Sequence, residues 1–113
     1  MHELSLCRGL IQLLQEQAQQ QDFRRVTAVW LEVGPLAAVE PAAMAFGFRA
    51  ASLGTLAQGA RLHLVPCPAR ARCRACGHCM EIQSWEMVCS ECGSTRLQIL
   101  SGQTLTIREL EVE

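Results

Sequence analysis

The sequence contains no lysine and no tyrosine, and among its 113 residues there is a single aspartate, Asp22. Without lysine, Schiff-base chemistry is excluded. One aspartate rules out an aspartate dyad and leaves little material for a Ser-His-Asp triad. Aromatic residues make up 4% of the chain, too few for a platform that stacks the bases of single-stranded nucleic acid. The formal net charge is −1, so the basic footprint of a DNA binder is missing as well. There is no HExxH, no nucleophile elbow and no phosphate loop. The most apolar stretch, 36–48, is interrupted by Glu40 and Pro41 and is too short to span a bilayer. The first cation, Arg8, leads into a glutamine-rich segment and not into the apolar core of a secretory leader. The expectation is a cytoplasmic protein, not an enzyme, with no membrane or nucleic-acid partner.

Half of the residues are hydrophobic and seven are cysteine. The first figure allows a folded core, and the length fits one domain or one domain with a small insert. The second is the outlier. In a reducing compartment, closely spaced cysteines usually hold metal.

Residues 3–21 read as an amphipathic helix, with Leu4, Cys7, Ile11, Leu14 and Ala18 on one stripe. Residues 25–33 alternate in polarity and read as a strand, stopped by Gly34-Pro35. Pro41 suits the first turn of a second helix and Gly54 its end. Met44, Phe48 and Ala51 then share one side, a spacing that fits core packing. Residues 61–65 and 105–112 read as further strands, with the cysteine-rich stretch from about 67 to 97 between them. The expected fold is α+β: a small sheet of about three strands with two helices on one face, plus an inserted zinc-ribbon-like module. The expected boundaries are 1–66 and 99–113 for the α/β domain and 67–98 for the insert.

Within the insert, Cys73-Arg-Ala-Cys76-Gly77 and Cys89-Ser-Glu-Cys92-Gly93 are separated by twelve residues after Cys76. Each C-x2-C turn sets two sulfurs on one side, and two such turns complete a tetrahedron for Zn²⁺. Glycine after the second cysteine permits the left-handed backbone of a tight knuckle. Buried free thiols are the bland alternative, and iron remains open because four sulfurs do not distinguish the metals. Cys76-Gly-His-Cys79 offers a shifted register. Methionine, not glycine, follows Cys79, which favours Cys73 and Cys76 and leaves Cys79 as an alternative zinc ligand. His78 is a further alternative and reads more simply as a solvated loop residue. Cys67 reads as a linker residue and Cys7 as an apolar helix-face residue. Arg70, Arg72 and Arg74 read either as a solvated strap into the first knuckle or as contacts for an acidic partner.

The chain starts Met1-His2-Glu3. Histidine is too large at the second position for Met1 to be trimmed, so an α-amine, the His2 imidazole and backbone nitrogens can converge on one cation. Nitrogen donors in a square plane suit Ni(II) or Cu(II). Alone, a second-position histidine is weak evidence, because most chain ends are frayed.

In combination it is stronger. The start Met1-His2-Glu3-Leu4-Ser5, the stretch Arg25-Val-Thr-Ala-Val-Trp-Leu-Glu-Val-Gly34, then Val39-Glu-Pro41, Gly59-Ala-Arg-Leu62, the two knuckles and the ending Glu109-Leu-Glu-Val-Glu113 resemble the HypA/HybF family of hydrogenase maturation factors, in order and over essentially the whole chain. The resemblance implies a nickel-binding α/β domain carrying a zinc module before its last strand. It implies nickel held by His2, with Met1 and Glu3 contributing backbone nitrogens, and zinc held by Cys73, Cys76, Cys89 and Cys92. It implies a nickel metallochaperone for [NiFe]-hydrogenase, in some members also for urease, working with a HypB-type nickel GTPase and the hydrogenase large subunit as a monomer or weak homodimer. The extra Cys79 departs from the family pattern. The competing reading is a zinc-ribbon module that binds protein or nucleic acid.

Overall fold

The computed structural model describes residues 2–85 and 87–113. Its elements run α1 (His2–Gln21), β1 (Val26–Val33), a 3₁₀ turn (Pro35–Ala37), α2 (Pro41–Ser52), β2 (Arg61–Pro66), β3 (Ala69–Cys73), β4 (Cys79–Ile82), β5 (Leu97–Ser101) and β6 (Leu105–Val112). They form two three-stranded sheets, ordered β2-β1-β6 and β4-β3-β5. The α+β class, the two helices and the three strands of the first sheet match the sequence expectation. The second sheet is the addition. Arg70 and Arg72 of the arginine strap lie on β3, the central strand of that sheet, and alternate outward while Ala69, Ala71 and Cys73 are buried; Arg74 follows in the turn. The short period-two pattern was there in the sequence, hidden by alanine where a strand usually carries branched side chains.

The chain divides into two compact units, one of residues Met1–Leu31, Val39–Leu64 and Ile107–Glu113, the other of Glu32–Ala38 and Val65–Thr106. In the first unit, α1 buries Cys7, Leu10, Ile11 and Leu14 at helical spacing. The Cys7 thiol meets the Met44 carbonyl at 3.5 Å and the Met44 Sδ at 3.7 Å, and Gly47 lets α2 approach that thiol closely. Burial, and then the charge of Glu3, push the Cys7 thiol up to about 11, so it stays protonated and acts as a packing residue. The apolar role expected of Cys7 is what the structure shows. Strand β1 adds Val26, Ala28, Val29 and Leu31 to the buried set. Helix α2 starts as its sequence dictates: Pro41 occupies the first turn and the Glu40 carboxylate, at the N-cap, accepts from the Ala43 N–H at 2.6 Å.

The second unit packs Leu36, Ala69, Ala71, Cys73, Met80, Ile82 and Cys89 together, with Leu97 and Ile99 against them. Gly34 and Gly102 allow backbones to touch here. A Cβ on Gly34 would collide with the Gly102 carbonyl, and one on Gly102 with Ala69. No helix among the described residues is long and apolar enough to cross a membrane.

Candidate metal centres

The two cysteine knuckles are built alike. The Cys73 N–H donates to the His78 carbonyl at 2.8 Å, and the Gly77 N–H donates back to the Cys73 carbonyl at 2.8 Å. In the second knuckle the Cys89 N–H donates to the Ser94 carbonyl at 2.9 Å, and the Gly93 N–H to the Cys89 carbonyl at 2.9 Å. Each turn closes only because its glycine adopts a left-handed conformation, φ +83° at Gly77 and +75° at Gly93. This is the role the sequence assigned to both glycines.

The result is a cluster. The sulfurs of Cys73, Cys76, Cys89 and Cys92 all lie within 4.8 Å of one another, and no other such group of ligands occurs among the described residues. Cys73 and Cys92 sulfurs are 3.6 Å apart, as are those of Cys76 and Cys89. Zinc–sulfur bonds of about 2.3 Å in a tetrahedron require sulfurs about 3.8 Å apart. The four thiols are thus gathered at a spacing suited to zinc, with Cys73 and Cys89 buried and Cys76 and Cys92 exposed.

Backbone N–H groups tune these sulfurs. The Cys76 N–H, then burial in opposition and the Ala75 N–H, set the balance that holds the Cys73 thiol down at about 6. The Cys92 N–H, against burial and with help from the Glu91 N–H 3.4 Å from its sulfur, lowers the Cys89 thiol as well. At Cys76 the His78 N–H pulls downward too, but burial and the three neighbouring sulfurs outweigh it and push that thiol up to about 12. So the first cysteine of each pair is the readier thiolate, and a divalent cation is what lets all four ionise together.

Cys79 stands outside this group. It is exposed on β4, in register with Arg72 of β3. His78 is half-buried in the turn between the first knuckle and β4.

At the other candidate site, His2 begins α1 and is exposed, and its Nδ1 lies 3.5 Å from the Glu3 carboxylate. Met1, whose α-amine completes the expected nickel donor set, lies outside the described residues. Glu3 itself is buried, and its carboxylate accepts from the Glu40 N–H at 3.2 Å. That hydrogen bond, then one from its own N–H, hold the Glu3 carboxyl well down, at about 2. The sequence assigns Glu3 to the expected nickel site through its backbone nitrogen, and in the structure its side chain also ties the start of α1 to the N-cap of α2. The available signal was Glu40-Pro41, a helix start whose own N–H needs an acceptor from elsewhere.

The family described as "Hydrogenase/urease nickel incorporation, metallochaperone, hypA" matches residues 1–112. The chain belongs to the HypA family. Hydrogenase maturation factor HypA of Azotobacter vinelandii is 50% identical to it over 113 residues, the whole of both chains. Hydrogenase maturation factor HybF of Escherichia coli strain K12 is 45% identical, again over all of both chains. The solution structure of the Ni metallochaperone HypA from Helicobacter pylori shares the fold, with a TM-score of 0.77 at 22% identity, covering 97% of this chain and 96% of that one. The resemblance seen in the sequence is thereby established. This HypA chain is a nickel-incorporation metallochaperone of hydrogenase maturation, and it carries a four-cysteine group suited to zinc.

Proposed function

We propose that this HypA protein binds Ni(II) through His2, the α-amine of Met1 and the backbone nitrogen of Glu3, and passes it to the hydrogenase large subunit with a HypB-type GTPase. The observation that carries this reading is the placement of His2. It stands exposed at the first turn of α1, where backbone N–H groups have no partner within the helix, and Glu3 beside it is fixed by Glu40. Helix polarity opposes a cation there, and deprotonated nitrogens with the adjacent carboxylate offset it. A site of few, solvent-reachable donors at a chain end exchanges its cargo readily, as a carrier must. The functional division we infer is nickel in 1–66 and 99–113, zinc in 67–98.

Zinc, held by Cys73, Cys76, Cys89 and Cys92, supplies a cross-link and no reaction step. The protein transfers an ion and catalyses nothing, in a cytoplasm where its seven unpaired thiols stay reduced. Delivery to urease is a second client open to the same chemistry.

The test is nickel stoichiometry and spectroscopy on protein with its native amino terminus. His2→Ala, or extra residues ahead of Met1, is expected to abolish nickel binding and leave zinc at one per chain. Equal nickel affinity in extended and native protein would move the site to sulfur. In a deletion strain at low nickel, wild type is expected to restore hydrogenase activity and His2→Ala is not.

A further inference from the structure

We propose that the groove between β2 and α2 receives an extended acidic segment of a partner protein as an added strand. Strand β2 is an edge of its sheet. Just past its end, the Cys67 N–H donates to the Val33 carbonyl of β1 at 3.1 Å. Counting back with the strand period of two, residues 65, 63 and 61 turn their backbone groups toward β1. Leu62 and Leu64 turn theirs to the open edge. The next outward position is Pro66, which has no N–H to leave unpaired, the residue expected where a strand borders open space.

Beside this edge lies a groove of about 510 Å³, lined by Ala45, Phe48 and Arg49 of α2 and by Arg61, Leu62 and His63 of β2. Its lining holds two guanidinium groups and no carboxylate. Arg61 pairs with Glu111 at 3.2 Å, an exposed ion pair of little net strength, so an incoming carboxylate can compete for it. His63, also on this wall, is stacked on Trp30 with ring centroids 4.7 Å apart. Phe46 of α2 and Leu53 just past its end are exposed nearby. An open strand edge supplies main-chain hydrogen bonds and the groove supplies side-chain selection, the two elements of recognition by strand addition. The charge selects the occupant: apolar side chains against Phe48 and Leu62, alternating with carboxylates that reach Arg49 and Arg61. This docking does not depend on where nickel binds.

The experiment uses zinc-loaded full-length protein and a library of eight-residue peptides carrying Glu at alternate positions with Leu, Val or Thr between, beside a matched library with Lys for Glu. Selective binding of Glu peptides is expected, with the Leu62 and Leu64 amides at least tenfold slower in hydrogen exchange. Arg49→Glu combined with Arg61→Glu should weaken binding tenfold or more while helical circular dichroism and zinc content stay unchanged. Binding of no Glu peptide, equal binding of Lys peptides, or binding that leaves both amides unprotected would overturn the proposal. So would sedimentation showing that the edge is already covered by a second copy of the chain.

Discussion

The two units of this HypA protein solve the same problem by opposite means. The first buries large side chains drawn from separate elements: Leu10, Ile11 and Leu14 of α1, Val26, Val29 and Leu31 of β1, Met44 and Phe48 of α2. In the second, four of the seven buried cluster residues are alanine or cysteine, which leaves only Leu36, Met80 and Ile82 as large apolar contributors. Burial stabilises by roughly 25 cal/mol per Å² of apolar surface, so small side chains stabilise little. A unit of this size with such a core needs a covalent or metal staple. The knuckle sulfurs are placed to supply one by holding zinc, and two of them, Cys73 and Cys89, belong to the core itself. The lesson is that one chain carries a domain built for packing and a module built for coordination.

The largest effect should come from removing the staple. Structural zinc supplies on the order of 10 kcal/mol in small zinc-dependent folds. Chelation, or Cys73→Ser, should therefore erase the amide signals of β3, β4 and β5 while those of α1 and α2 persist. Retention of the β3–β4 and β3–β5 pairing without metal would break the contrast between the units.

Next in size is the converse test. Leu14 is fully buried in the first unit, and Leu14→Ala should cost about 2–5 kcal/mol from lost burial and the cavity left behind. Zinc content should remain one per chain, measured by metal analysis after gel filtration. Loss of zinc along with helical structure would show that the units do not stand apart.

A sharper and smaller effect concerns Cys79. Being exposed on β4 and outside the sulfur cluster, it should tolerate serine with no change in zinc content. If Cys79→Ser released zinc and Cys73→Ser kept it, the ligand register would be the shifted one.

Much of this was legible in the residues. The stripe through Cys7, Ile11 and Leu14, Pro41 at a helix start and Gly54 just past its end, and the alternation of 105–112 each follow from local rules, and the elements fall where those rules put them. The knuckles were legible because ligand spacing and glycine placement are short-range. The second sheet was not. Its strands are four or five residues long, and β3 buries alanines, so the hydrophobic alternation is faint. The reach of the Glu3 side chain to the Glu40 N–H was hidden for a different reason. It joins positions 37 apart in sequence, and no local pattern encodes it.

That contact yields a small expected effect on stability, and one confined to the first unit. The Glu40 N–H, followed by Glu3's own N–H, lowers the Glu3 carboxyl from the usual 4.5 to about 2. Because the folded value lies below the unfolded one, the charged carboxylate adds stability above the unfolded value. That contribution is lost as the pH falls from about 4.5 through about 2. Glutamine at this position keeps an acceptor oxygen but not the charge, and charge-assisted hydrogen bonds are the stronger ones. Glu3→Gln should therefore melt below wild type near neutral pH, and the gap should close as acid protonates the wild-type carboxyl. The measurement is thermal unfolding followed by helical circular dichroism without nickel, since acid also strips zinc from the second unit and the helices report on the first alone. A gap that persists undiminished at the acid end would mean that the carboxylate charge does not hold α1 to α2, and that the packing of Cys7 against Met44 suffices.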